Sequence, residues 1–118
     1  MGLDQYAFSN PPTRDFQWRK HAMLQAFIEM KIDQGQLQPD KPDESFNCNP
    51  VELTKDVVLE IRDRLMFGLM PESAGGFFYG HQMQHEQAAH YRDQDLEFTT
   101  WALHEMDHGN QVFYDCWY

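Results

Sequence analysis

The sequence predicts an all-α domain, either a small four-helix bundle or an irregular helical array with an aromatic C-terminal tail. Apolar residues recur at helical spacing in several stretches, and segments containing Gly, Pro and Asn separate those stretches. The chain has 118 residues, of which 42% are hydrophobic, so it can form one core without disulfide support. We therefore interpret residues 1–118 as a single helical domain.

The first predicted helix covers residues 14–33. An extended N-terminal arm, residues 1–12, precedes it, and Thr13 is a suitable N-cap. At about 100° per residue, Trp18 and Phe27 fall on one broad apolar face with Ala22, Met23, Ala26 and Met30. This spacing and the absence of Gly and Pro predict a helix that packs on one side.

A loop at residues 35–49 leads to the second predicted helix. Asn49 is its expected N-cap, and Pro50 stands at the first helical position, where a missing N–H costs nothing. The helix ends before Pro71, which disfavours helical geometry in the residue before it. The buried stripe is predicted from apolar residues at helical spacing: Val57, Val58, Ile61, Leu65 and Leu69.

A second loop at residues 71–76 precedes two further predicted helices, at residues 77–92 and 96–108. Asp93 or Asp95 would cap the later helix after a very short link. So short a link predicts that the two helices are antiparallel neighbours. The aromatic tail that follows is expected to dock on the core or on a second subunit, as a short helix or a strand.

The strongest functional signal is a cluster of histidines between residues 80 and 109. His81 and His85 are four residues apart, as are His104 and His108. A step of four residues returns to nearly the same face of a helix, so each pair could offer two imidazoles to one ion. The second pair is written His-Glu-x-x-His, a known zinc-site pattern in which Glu105 would be the general base.

The pentapeptide from His104 to His108 resembles the His-Glu-x-Asp-His motif of peptide deformylases. In that family the two histidines bind the metal and the glutamate is the general base, which the resemblance implies for His104, His108 and Glu105. The family's Gly-rich motif and its cysteine-containing motif have no counterpart in this chain. The resemblance is therefore confined to five residues.

Two classes of function follow from these patterns. The first is a metal-binding protein, and specifically a metal-dependent hydrolase, that holds a divalent transition metal such as zinc. Its ligands would be His104 and His108, with His81 or His85 as the third. The second is a non-enzymatic acidic interaction protein that self-associates through its aromatic C-terminus, with the histidines serving core hydrogen bonds or a solvated surface.

Charge and composition narrow the set of partners and compartments. The formal net charge is −10, which argues against nucleic-acid binding because phosphate backbones attract basic patches. No uninterrupted apolar stretch reaches membrane length, and no signal peptide is recognisable. Two cysteines are too few for a disulfide scaffold. We therefore expect a cytoplasmic protein with no nucleic-acid or membrane partner, and a homo-oligomer remains open.

Overall fold

The computed structural model describes residues 2–73 and 83–118, which form a four-stranded antiparallel sheet and three α-helices. In chain order the elements are β1 (Asp4–Asn10), β2 (Phe16–Arg19), α1 (Ala22–Asp33), β3 (Val51–Glu52), α2 (Lys55–Phe67), α3 (Gln84–Asp107) and β4 (Gln111–Trp117). The prediction of an all-α domain is therefore wrong. The chain has a mixed α/β fold, and the strands lie in the segments predicted as an arm, the start of a helix and a tail.

The two ends of the chain form the centre of the sheet. Strand order is β2-β1-β4-β3, so β1 pairs with both β2 and β4. Tyr6 lies opposite Gln17 on one side and opposite Asp115 on the other. Residues 1–12, predicted as a surface arm, thus contain an interior strand, and the aromatic tail is the strand beside it.

One face of the sheet forms the hydrophobic core with the helices. Every second residue of the strands is buried on this inner face, including Ala7 of β1, Trp18 of β2 and Tyr114 of β4. Helix residues such as Phe27 and Phe98 complete the same core and are almost inaccessible to solvent. Burying each of these rings stabilises the fold by about 1.5–3 kcal/mol.

Helices α1 and α2 begin later than the sequence pattern predicted. Residues 16–19 are strand β2, so α1 starts only at Ala22. The N-cap of α2 is Thr54, whose Oγ1 accepts a hydrogen bond from the Val57 N–H at 3.3 Å. Asn49, the predicted cap, instead holds the preceding loop through its bonds to the Lys41 backbone.

Helix α3 is continuous where two helices were predicted. Residues 84–107 contain neither Gly nor Pro, and Asp95 is not a cap. Its buried carboxylate accepts a hydrogen bond from the Trp18 indole at 2.7 Å and lies 2.6 Å from His21 Nε2. At the position of the predicted break, Asp95 therefore holds α3 to β2 and to the start of α1. Residues 77–82 of the predicted third helix lie outside the described residues.

Helix α3 also supplies the partners for one edge of the sheet. The Gln94 side chain donates to the Gln17 carbonyl at 2.5 Å, and the Tyr91 hydroxyl accepts from the Arg19 N–H at 2.9 Å. These backbone groups belong to β2, the strand at that edge.

None of the helices in residues 2–73 and 83–118 combines the length and apolar character needed to cross a membrane.

Candidate functional site on the outer face of the sheet

The structure disperses the histidines that were predicted to bind a metal. His104 and His108 are exposed near the end of α3, with ring centroids 4.3 Å apart. His85 lies on the same continuous helix, about 28 Å from His104 at 1.5 Å of rise per residue. Its Nε2 is 3.0 Å from Glu72 Oε1 at the surface. Because α3 is one continuous helix and not an antiparallel pair, His85 and His104 lie far apart along it. The other predicted ligand, His81, lies outside the described residues.

Glu105, the predicted general base, has a structural position. It is buried, whereas His104 and His108 are exposed, so its carboxylate points away from their imidazoles. Glu105 Oε1 accepts a hydrogen bond from Thr13 Oγ1 at 2.5 Å and from Asn110 Nδ2 at 3.4 Å. The Thr13 bond fixes the turn between β1 and β2 to the end of α3, and the Asn110 bond lies within the turn from α3 to β4.

The metal-binding interpretation is therefore corrected for the described residues. In 2–73 and 83–118, no three His, Cys, Asp or Glu side chains are grouped so that they could hold a metal ion. The physical reason is the single long helix, which spreads its histidines along its length instead of facing them across a pair. The zinc cofactor and the hydrolase reaction, which both depended on that convergence, stay predictions without support from the geometry.

A different set of side chains gathers on the solvent side of the sheet. We define the outer face by the residues of β1, β2 and β4 that alternate with the core residues, together with Asp15 just before β2 and Glu52 of β3. Its members are Asp4, Tyr6, Phe8, Asn10, Asp15, Gln17, Arg19, Glu52, Gln111, Phe113, Asp115 and Trp117. All are half-buried or exposed, so this face is open in the part of the chain that the structure describes.

Aromatic rings dominate the centre of the outer face. Phe8 and Phe113 stack across β1 and β4 with centroids 5.5 Å apart and an interplanar angle of 18°. Tyr6 and Trp117 meet edge to face at 6.5 Å, and Trp117 is 56% exposed. Large rings that could have been buried stand toward solvent, which is typical of a surface that contacts a partner.

A hollow of about 260 Å³ opens between these rings and two carboxylates. It is lined by Tyr6, Ala7, Phe8, Asp15, Gln17, Asp115 and Trp117. The apolar walls come from β1 and β4, and the acids stand on opposite sides of β1. Such a combination of ring faces and carboxylates matches the chemistry of an organic cation.

Asp115 is the unusual group in this hollow. It lies opposite Tyr6 in the strand register, with Phe113 and Trp117 on the same side of its own strand. Burial raises the pKa of the Asp115 carboxyl, and the hydrogen bond that Oδ1 accepts from the Cys116 N–H at 2.9 Å opposes the shift. Within the described residues no cation pairs with Asp115 or with Asp15.

The other side of β4 offers no comparable chemistry. Burial raises the pKa of the Cys116 thiol to about 12. The hydrogen bond from Gln25 lowers this pKa, whereas the nearby Asp115 carboxylate raises it further. A thiol with so high a pKa stays protonated at neutral pH, so Cys116 is a core residue and not a nucleophile. The chemistry open to a ligand therefore lies on the outer face.

Sequence reasoning missed most of the residues of this face. Tyr6, Phe8, Asp15, Gln17 and Asp115 were not candidates, and Trp117 was noted only as part of an aromatic tail. The burial of residues 4–10 and 111–117 alternates with period two, but the residue types of 4–10 do not follow that alternation. Comparison of the chain with protein-family models, with curated proteins and with solved structures finds no match. Function is therefore argued from the outer face itself.

Proposed function

We propose that this protein is a small binding module that docks a basic segment of another protein on the outer face of its sheet. The observation that carries the proposal is Asp115, a carboxylate set among aromatic rings that has no cation among the described residues. Holding a charge in such surroundings costs free energy. A cationic partner would offset that cost.

The charge of the outer face supports a basic partner. Asp4, Asp15, Glu52 and Asp115 contribute four carboxylates, whereas Arg19 is its single base and lies 3.9 Å from Asp4. The whole chain has the same sign, with a formal charge of −10. An acidic surface attracts Lys- and Arg-bearing segments over about 8–10 Å at physiological salt, which accelerates their association.

The rings supply the short-range part of the interaction. Tyr, Trp and Phe are enriched among the residues that contribute most to protein interfaces, because each removes a large apolar area from water. Tyr6 and Trp117 stand beside Asp115, so apolar contact and charge pairing occur in one place. This combination favours the aliphatic stem and charged head of a basic side chain.

The alternative partner for the outer face is a second copy of this chain, bound in a symmetric dimer. A symmetric dimer would bring Asp115 and Asp15 of one copy toward the same carboxylates of the other, and like charges across an interface are destabilising. Arg19 alone cannot balance them. A basic partner therefore fits the outer face better than a second copy of this chain.

The test is the affinity of a labelled peptide of alternating Arg, Lys and Gly residues, measured by fluorescence anisotropy. The variant is Asp15→Asn with Asp115→Asn, and its control is Asp40→Asn with Asp43→Asn in the exposed loop before β3. Both change the net charge from −10 to −8, so their effects on general charge attraction match. We expect the outer-face variant to weaken binding at least about tenfold, or 1.4 kcal/mol.

The control should lose less than about twofold, and the affinity of the native protein should fall as salt is raised. Equal losses in the two variants would overturn the proposal, because binding would then follow net charge alone. Sedimentation provides the second check. A dimer that Trp117→Ser dissociates would assign the outer face to self-association and would also overturn the proposal.

A further inference from the structure

We infer that the hollow on the outer face is a subsite for one arginine side chain of the partner. The guanidinium would lie between Asp15 and Asp115, and its aliphatic stem would contact Tyr6, Phe8 and Trp117. This inference rests on the proposed function and adds the identity of the residue that the partner must present. It is carried by the way in which this chain already binds its own guanidinium groups.

The first internal example lies just before β2, between that strand and α3. The guanidinium carbon of Arg14 is 4.3 Å from the centroid of the Phe16 ring, and its Nη2 is 2.8 Å from Glu97 Oε1. One ring face and one carboxylate thus hold the cation. The ring quadrupole attracts the positive charge, and the carboxylate accepts its N–H groups.

The second example lies at the contact between α1 and α2. Arg64 lies 5.6 Å from the Phe27 centroid, and its Nε donates to Glu60 at 2.9 Å. Lys31 shares both partners, at 5.4 Å from the same ring and 2.5 Å from the same carboxylate. The two pairings lower the pKa of Glu60 although burial alone would raise it.

The outer-face hollow contains the same components, and its lining among the described residues includes no cationic side chain. Its rings are Tyr6, Phe8 and Trp117, its carboxylates are Asp15 and Asp115, and the amide of Gln17 adds a neutral acceptor. At Glu60 the paired Lys31 and Arg64 lower the pKa of the carboxylate although burial opposes them. Asp115 shows the opposite direction because it is desolvated and unpaired.

Arginine fits these surroundings better than lysine. A guanidinium is more weakly hydrated than an ammonium, so it loses less on leaving water for a partly buried, ring-lined site. It also presents N–H groups in several directions, which allows one group to reach Asp15 and Asp115 from a position between them. A hollow of about 260 Å³ is large enough for one such side chain.

The test uses three short, capped Gly-Ser peptides that each have one central residue: arginine, lysine or citrulline. Citrulline has nearly the shape of arginine but no charge. Titration followed by NMR would monitor the Trp117 indole N–H and the Tyr6 and Asp115 backbone amides. We expect the arginine peptide to bind at least about threefold more tightly than the lysine peptide, and the citrulline peptide to cause no saturable shift.

Asp115→Asn should reduce the affinity for the arginine peptide at least about fivefold, whereas Asp43→Asn should leave it unchanged. Equal affinities for the arginine and lysine peptides would overturn the arginine subsite, and so would saturable binding of the citrulline peptide. The proposed function would survive either result if the mixed Arg/Lys peptide still bound in an Asp15- and Asp115-dependent way. Loss of that dependence would overturn both.

Discussion

The two faces of the sheet treat polar side chains in opposite ways. On the inner face, the Gln5 amide donates to the His21 carbonyl and to Tyr114 Oη, and the Tyr114 hydroxyl donates to Gln25. On the outer face, one residue further along each strand, no hydrogen bond of the Tyr6 hydroxyl is seen among the described residues, and the Asp115 carboxylate accepts one from the Cys116 N–H. Neighbours in sequence therefore differ in how many hydrogen bonds their polar groups make within the chain.

This difference separates structural from functional polar groups. A buried polar group without a partner costs about 1–3 kcal/mol, so the inner face is stable only because its bonds are made. The outer face lies in partial contact with water and tolerates unfilled donors and acceptors. Polar groups that keep unused hydrogen-bonding capacity beside large aromatic rings are the ones that remain available to a partner.

The largest expected effect is at the anchor between α3 and the inner face. Asp95→Ala removes the acceptor of the Trp18 indole and the partner of His21 Nε2, so two buried polar groups lose their bonds. We expect a loss of about 3 kcal/mol in the free energy of unfolding, measured with urea. The control is Asp107→Ala on the same helix, where the exposed contact with Lys55 contributes about 0–1 kcal/mol. Similar losses in the two variants would contradict the contrast.

A smaller effect on stability is expected when one tyrosine hydroxyl is removed from the inner face rather than from the outer face. Tyr114→Phe removes the hydroxyl that joins Gln5 to Gln25 in the core, and we expect it to cost about 1–2 kcal/mol. Tyr6→Phe removes a hydroxyl on the outer face and should change stability by less than about 0.5 kcal/mol. Thermal or urea unfolding of the two variants would show the difference. A larger loss for Tyr6→Phe would reverse the assignment of the two faces.

The smallest expected effect has the opposite sign. Burial raises the folded-state pKa of Asp115 above its ordinary value, so the ionised form destabilises the fold at neutral pH. Asp115→Asn removes that charge and should raise the unfolding midpoint slightly at pH 7. As pH falls through the raised pKa, the native carboxyl becomes protonated and the advantage of the variant should disappear. A variant less stable at pH 7, or an advantage that grows on acidification, would contradict this account.

The sequence predicted four helices, in stretches that include the three observed ones, but not the sheet. Val57, Val58, Ile61 and Leu65 belong to the buried stripe of α2, as predicted, whereas Leu69 of the same predicted stripe lies beyond the helix and is 62% exposed. Strand β1 escaped detection because its inward positions include Gln5 and Ser9 while its outward positions include Tyr6 and Phe8. That inversion hides the usual alternation, since polar residues face the core and rings face water.

The candidate site was mispredicted for a related reason. The His-Glu-x-x-His pattern requires a second element to supply further ligands, and local spacing at His104 and His108 cannot show whether that element is present. Asp93 or Asp95 was predicted as a helix cap from local preference, whereas Asp95 lies inside the continuous helix α3 and makes tertiary contacts with Trp18 and His21. The outer face depends on pairing residues near 6 with residues near 115, which no local pattern reveals.

The bonds from α3 to the edge of β2 restrict how this chain can be recognised. Gln94 and Tyr91 occupy the backbone groups of Gln17 and Arg19 that an added strand would need. These two bonds disfavour strand addition and polymerisation at the β2 edge. The open face is recognised through its side chains, so point substitutions there can change the choice of partner without disturbing the backbone.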